Sequence, residues 1–505
     1  MQETSPIMGY IMYLEKEYPF LFEEGILRLF PPTRQEWRER RGSLFKDLEK
    51  FKTLHQKQEW IGHSLLKGRT HDGSCIVFCV SNSSSNDNGF ESFSVDYYFK
   101  YNGDFLDEET IYGFSVTGRE VDYFYNPRRA FAMDSMCDES GNSRTGVYAR
   151  QTKSDTAGSY WYKNTEITVS FHAIPTIHFR SETPLSARSK MIFSFSRPQN
   201  LEFLIDVYEH CLRFFYYVCY RVNVKLDALD VYGMREGKIS REGVVTFYGK
   251  EHTEEPDLEK AREIITYDDL EGKMVELFPP LAQNQIYLEH LCSSVAARSS
   301  WGINRIILMF VAFEREFRNL YDDTVTRSEA YVEVREEVLK YLKNRKEQYT
   351  GKKKKYVGEI ERTLSKTENK YADRMEKAMR DCEEILRPFL KYYYRDYQSD
   401  MIEDICDRMN QLRNDSAHGN IDLRIDPVHI SDFAILESLV YAMRLKAIGV
   451  ETGKIQVCLQ TLKGNRRICT EWCCGLFGVD GYGLFRRIVI GSRYGQEGFG
   501  YSLIA

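Results

Sequence analysis

The sequence predicts an α+β protein: a β-rich, sandwich- or barrel-like N-terminal domain followed by an all-helical domain. Three observations predict this. Short runs rich in Val, Ile, Phe, Tyr and Thr recur over residues 1–275. The pattern breaks at "ELFPPLAQN" (276–284), where Pro279 and Pro280 mark a boundary. Apolar residues then recur at helical spacing as far as about residue 450. At 505 residues the chain is too long for a single hydrophobic core. We therefore expect domains over 1–275 and 285–450, and a C-terminal tail over 451–505.

The strand candidates are "SCIVFCV" (74–80), "FSVDYYF" (93–99), "TIYGFSV" (110–116), "EITVSFH" (166–172) and "MIFSFS" (191–196). Turn sequences such as "HDG", "YNGD" and "SNSSSNDNG" separate strand runs. Most gaps are too short for crossover helices, which favours antiparallel pairing. One helix interrupts the pattern at 199–219, where Leu201, Leu204, Ile205, Tyr208, Leu212, Phe215 and Val218 share a face that should cover the sheet. "KLDALDVYG" and "VVTFYGKE" read as a last strand pair.

Beyond the boundary, "WGINRIILMFVAFEREFRNLY" (301–321) is an apolar helix. A charged helical region follows over 328–394, broken at Gly351 within "KNRKEQYTGKKKKY" (343–356). The next helix carries Ile402, Ile405, Met409 and Leu412 on one face, with Ser399 or Asp400 able to cap its start. A final helix, "SDFAILESLVYAMRLKAIG", should start at a Ser431 cap and stop at Gly449. Residues 451–505 are rich in Gly, Cys and aromatics and show no clear periodicity.

Composition narrows the function. A net charge of -6 gives no whole-chain attraction to nucleic acid, so any such contact needs a local basic patch. The N-terminus lacks the charged and apolar regions of a signal peptide. The most apolar run, residues 201–220, contains Asp206, Glu209, His210 and Arg213, which argues against a membrane span. A soluble, cytoplasmic protein is expected, with its twelve Cys reduced. Cys469, Cys473 and Cys474 have no second CxxC and no nearby His, so no zinc site, and no other metal or cofactor, is expected. His172 and His178 lack an Asp or Cys at ligand spacing. Phosphate-loop, HExxH and GxSxG motifs are absent from the sequence.

The stretch "QLRNDSAHGN" (411–420) concentrates polar chemistry at a helix end. Arg413 and His418 are five residues apart, a rotation of about 140° on a straight helix. They share a site only if the helix stops near His418, as Gly419 and Asn420 suggest, or if two copies of the segment face each other. An imidazole titrating near about 6.5 exchanges protons at neutral pH. A guanidinium forks onto phosphate oxygens. Together they suit cleavage of an RNA phosphodiester without metal, by attack of the neighbouring 2′-OH, leaving a 2′,3′-cyclic phosphate and a 5′-OH. His418 would move the proton, Arg413 would stabilise charge on the phosphorane oxygens, and Asn414 would hold the imidazole or a phosphate oxygen. The plainer reading is that "NDSAHGN" is helix-ending and turn sequence, with Asp415 and Ser416 capping locally. His429 reads as a capping or surface residue of the next helix. Lys352, Lys353, Lys354 and Lys355, flanked by Tyr349 and Tyr356, form the best basic patch for RNA; the plainer reading is a solvated helix end.

"LRNDSAHGN" after an amphipathic helix resembles the HEPN superfamily, whose signature is Arg, four to six residues, then His, with a polar residue commonly after the Arg. Arg413, Asn414 and His418 fit it. "GHSLLKGRTHDGSCIVFCV" and "FSFSRPQNLEFLIDVYEHCLRFF" look like the N-terminal domain of ApeA-type antiphage proteins. The resemblance covers roughly residues 15–460. It implies a metal-independent endoribonuclease of abortive-infection defence, acting on host RNA, with tRNA a common target in the superfamily. It also implies a homodimer or higher oligomer through the HEPN domain. The N-terminal domain would act as sensor or brake, and a phage-derived trigger would bind it. The pattern departs at Asn420, where some members carry a tyrosine that a partner enzyme modifies. The alternative function is a non-catalytic HEPN module that binds RNA or nucleotide, its β domain sensing a phage component.

Overall fold

The computed structural model describes residues 6–31, 64–87, 90–102, 110–137, 143–149, 153–177, 185–248, 254–300, 302–321, 329–366, 371–417 and 425–464. These divide into two units. The first holds residues up to Arg262 together with 266–268 and 274–282. The second holds 263–265, 269–273 and the residues from Gln283 onward. The protein is α+β, a barrel-like sheet followed by a helical region.

Unit one begins with β1 (Ile7–Tyr13), β2 (Lys16–Glu23), β3 (Ile26–Leu29), β4 (Ser64–Thr70), β5 (Cys75–Asp87) and β6 (Phe90–Tyr101). Their pairings run β6-β3-β2-β1-β4-β5, and β5 returns to β6. Six antiparallel strands thus close a ring. Alternation explains the inside: on β2, Tyr18, Phe20 and Phe22 are buried while Glu17 and Glu23 are exposed. These side chains join Ile11, Leu27, Leu29, Ile76, Phe78, Val80, Phe93 and Val95 in one core.

The second half of β6 also pairs with β14 (Lys238–Phe247), through Tyr97↔Phe247 and Tyr101↔Gly243. This adds an extension of six strands to the ring: β7 (Ile111–Val116), β10 (Lys153–Tyr162), β11 (Thr165–Ile177), β12 (Leu185–Gln199), β13 (Leu229–Arg235) and β14 (Lys238–Phe247), in the order β14-β13-β7-β12-β11-β10. A short helix, α1 (Arg119–Phe124), follows β7, and β8 (Phe131–Cys137) and β9 (Ser143–Ala149) form a separate hairpin. The strands read at 74–80, 93–99, 110–116, 166–172 and 191–196 all lie in this sheet, and every pairing is antiparallel.

Helix α2 (Leu201–Cys219) lies where helical spacing places it. Asn200 Oδ1 caps its start by accepting from the Phe203 amide at 2.9 Å. Its buried face packs on the extension: Phe203 meets Phe195 edge to face, and Tyr208 stacks on Phe247 with ring centroids 4.1 Å apart. Phe214 stacks on Phe278 of the short helix α3 (Phe278–Ala282). Directly after α2 lies a buried polar network. Arg221 is fully buried; its Nη2 donates to Glu120 at 2.8 Å and its Nη1 to the Asn223 carbonyl, while Asn223 Nδ2 donates to Glu255 at 2.8 Å.

His210 on α2 is buried against the edge of Tyr162, and burial holds its pKa down to about 4 although Asp206 opposes the shift. The imidazole is therefore neutral in the fold, and its unfolded counterpart protonates below about 6.5. Stability from this group is full above that pH and is lost as the pH falls from 6.5 toward 4. Across that range we expect the wild type to lose about 3 kcal/mol more than His210→Phe, read from urea midpoints. Parallel pH profiles would show that His210 does not carry the shift.

Unit two contains eight helices among the described residues: α4 (Ile303–Leu320), α5 (Glu329–Gln348), α6 (Gly351–Lys366), α7 (Tyr371–Asp381), α8 (Glu383–Tyr393), α9 (Met401–Ala417), α10 (Pro427–Ala447) and α11 (Thr452–Leu462). Helix α10 is central, buried on all sides from Asp432 to Leu445. Its buried charges are paired. Asp432 accepts from Arg408 Nε at 3.1 Å and Nη2 at 2.8 Å, Glu437 accepts from Arg305 at 2.8 Å, and Arg444 donates to Glu316 at 2.6 Å. Gly351 breaks the charged region as expected, and its φ of 59° is of the kind glycine adopts without strain.

Two readings change, the start of α10 and the first part of the C-terminal tail. Helix α10 starts at Pro427, four residues before Ser431; Asp426 precedes it, and the Asp426 amide donates to His429 Nδ1 at 3.1 Å. His429 is thus a capping residue. Ser399 binds the Glu383 carboxylate through its hydroxyl. The first part of the C-terminal tail, Thr452–Leu462, is helical and buries Ile455, Cys458, Leu459 and Leu462. Cys469, Cys473, Cys474 and His178 lie outside the described residues. Among the described residues, no helix is long and apolar enough to cross a membrane.

Candidate functional site

Helix α9 carries the Arg-Asn pair. Ile402, Ile405, Cys406, Met409 and Leu412 form its buried face. Arg413 follows Leu412, so it leaves the core at the border of that face and is half-buried. Its guanidinium lies 4.8 Å above the ring of Tyr371 on α7. Tyr371 is buried, and burial raises its pKa well above the usual phenol value, so the ring stays neutral. Arg413 Nη2 donates to Glu314 Oε1 of α4 at 3.3 Å.

Glu314 also faces Arg374 of α7 and Arg318 of α4, each at 3.9 Å. Three guanidinium groups surround one carboxylate, so these four side chains carry more positive than negative charge. Glu314 holds Arg413 in place without neutralising the cluster. Arg318 is well exposed and Arg413 partly so, which leaves cationic surface for an anion such as a phosphodiester. Asn414 is exposed, with Oδ1 3.5 Å from Arg413 Nη1, at the outer limit of a hydrogen bond. Ser416 donates to the Leu412 carbonyl at 2.7 Å, the local backbone bond expected of a serine near a helix end.

His418, Gly419 and Asn420 lie outside the described residues, the last described residue of α9 being Ala417. Lys352, Lys353, Lys354 and Lys355 occupy a different element, the exposed first turn of α6. Lys353 Nζ lies 5.8 Å over the Tyr349 ring, and Lys355 faces Glu359 at 3.9 Å. Sequence reasoning did not find Glu314, Arg318, Arg374 or Tyr371. Their only signal was spacing, Glu314 with Arg318 at i, i+4 and Tyr371 with Arg374 at i, i+3, which places each pair on one helix face without naming the facing helix. Among the described residues, no group of three or more His, Cys, Asp or Glu is arranged to hold a metal ion. No family model, curated protein or solved structure matches this chain.

Proposed function

We propose that this chain is an endoribonuclease of the HEPN type, serving antiphage defence as the ApeA-like proteins it resembles do. The observation that supports this reading is the guanidinium cluster at the end of α9, immediately before His418 in the sequence. RNA binds with a phosphate against Arg413. The 2′-oxygen attacks the adjacent phosphorus, the P–O5′ bond breaks, the 2′-OH proton passes to a base and the 5′-oxygen takes up a proton. His418 carries one of these proton transfers, and Arg413 stabilises the charge that builds on the non-bridging oxygens. The amide of Asn414 orients the phosphate or the imidazole. Of the exposed lysines, Lys352–Lys355 supply sequence-independent attraction to RNA. The β-rich unit senses a phage-derived trigger, and host RNA, tRNA among its classes, is the substrate.

The test is cleavage of structured RNA by the purified chain in EDTA, with product ends mapped by sequencing. We expect 2′,3′-cyclic phosphate ends, and loss of all cutting in a folded His418→Ala variant. Cleavage that persists in that variant removes His418 from the mechanism. One observation favours a non-catalytic RNA-binding module instead: Arg413 is engaged by both Glu314 and Tyr371, as a purely structural arginine would be. That reading predicts salt-sensitive RNA binding without product ends.

A further inference from the structure

The cation-over-ring contact of Arg413 has a counterpart farther along the same two helices. Side chains of α4 and α7 meet at three levels. The Tyr371 ring meets Phe310 and Phe313, Arg374 faces Glu314 at 3.9 Å, and Asp381 accepts from the Tyr321 hydroxyl at 2.7 Å. Tyr321 ends α4 and shares a helix face with Arg318, three residues before it. Here Lys377 Nζ lies 6.0 Å over the Tyr321 ring, as Arg413 lies 4.8 Å over Tyr371. The Tyr321 ring also stacks on Phe317, with centroids 4.9 Å apart, which fixes its position.

Burial first, and then the bond to Asp381, raises the Tyr321 pKa, so this ring too is neutral. A cation held over a neutral ring keeps its charge for an anion. The nearby carboxylates do not cancel this charge. Asp381 is paired with Lys446 at 2.8 Å, and Glu314 is shared among three guanidinium groups. Even with Asp373, a turn before Lys377, three carboxylates face five cations among the described residues: Arg318, Arg374, Lys377, Arg413 and Lys446. Arg318 is well exposed, and Lys377 and Tyr321 are half-buried.

We propose that Lys377 and Arg318 form a second phosphate subsite, so that an RNA strand whose scissile phosphate meets Arg413 continues between α4 and α7 toward Tyr321. This rests on the reading of Arg413 as the residue that meets the scissile phosphate. Six residues of α7 separate Tyr371 from Lys377, about 9 Å along the helix axis. That reach suits the next phosphate of an extended strand, or the one after it. Two cations placed in succession fit a regular polyanion, and each grips a phosphate without reading a base. The subsite therefore sets the path of the strand and its affinity, and leaves sequence choice to other contacts.

The test is fluorescence anisotropy of a labelled single-stranded RNA oligomer with the full chain across a salt series, in a His418→Ala background, with a thermal melt as the folding check. We expect Lys377→Ala to raise Kd at least about threefold and to lower the slope of log Kd against log salt by about 0.7, the loss of one phosphate contact. Arg318→Ala should act in the same direction. Lys391→Ala, at an exposed lysine of α8, should change neither quantity. In the chain that retains His418, Lys377→Ala should raise the RNA concentration for half-maximal cleavage rather than lower the plateau rate. Unchanged Kd and slope in either folded variant overturn the proposal, as does an equal loss in Lys391→Ala, which would reflect net charge alone. If RNA is still cut while the two variants bind like wild type, Arg413 keeps its role and the second subsite fails. If binding depends on Lys377 but RNA is never cut, the subsite stands and the ribonuclease reading fails. A wild type that does not bind the oligomer overturns both.

Discussion

Arg413→Ala is expected to lower the rate of RNA scission by about 10²–10³-fold while leaving unit two folded, the usual effect of removing one donor aimed at developing charge. Stability should change little. The side chain is more than a third exposed, so its ion pair with Glu314 is solvent-screened, and its position over Tyr371 contributes on the order of 1 kcal/mol. Arg413→Lys sharpens the test. It keeps the charge and loses the planar fork, so it should recover binding before rate. The measurement is single-turnover cleavage beside a thermal melt. A full wild-type rate in a folded Arg413→Ala variant would return the residue to a structural role. Glu314→Gln is a useful companion, since it removes the charge that Arg413 Nη2 donates to while leaving Arg413 itself in place.

Glu120→Ala is expected to destabilise unit one by about 3–5 kcal/mol, because it leaves the Arg221 guanidinium buried with its carboxylate partner gone. That is a large share of the roughly 5–15 kcal/mol that holds a typical domain together. The double variant Glu120→Leu, Arg221→Met should lose much less, since no charge is then stranded. Urea midpoints for Glu120→Leu, for Arg221→Met and for the double variant measure the coupling. A loss below about 1 kcal/mol for Glu120→Ala would show that water or Glu255 takes over the guanidinium.

The sequence made some of these elements easy to read and concealed others, for physical reasons. Strands such as "EITVSFH" alternate plainly because one face is core and the other is not. The β1–β2 hairpin left no such trace. Its two-residue turn is Leu14-Glu15, both with positive φ, where Asn-Gly or Asp-Gly is the usual marker. The start of α10 was signalled by Asp426-Pro427, but Val428 and Ile430 are exposed, so the apolar pattern begins only at Phe433. Helix α11 shows helical spacing at Ile455, Cys458, Leu459 and Leu462, hidden by Gly453 and the Gly-rich sequence after it. At the site, Arg413 and Asn414 could be read because they end an amphipathic helix. Glu314, 99 residues away, could not, because spacing shows which residues share a helix face and never which helix that face meets.

The closed ring has a consequence for the order of events during synthesis. All six of its strands lie within residues 7–101, so every partner that ring closure needs has left the ribosome before α2 is translated. Among the described residues the extension pairs with it at β14, whose register with β6 sets Tyr101 against Gly243. Until then the outer half of β6 waits with one edge open. The ring can thus form early as a template, and the extension must find it across more than a hundred residues of chain, the kind of long-range pairing that is slow. A nascent chain stalled shortly after β6 should therefore already resist protease, while one stalled just before β14 is the form most exposed to aggregation through that waiting edge.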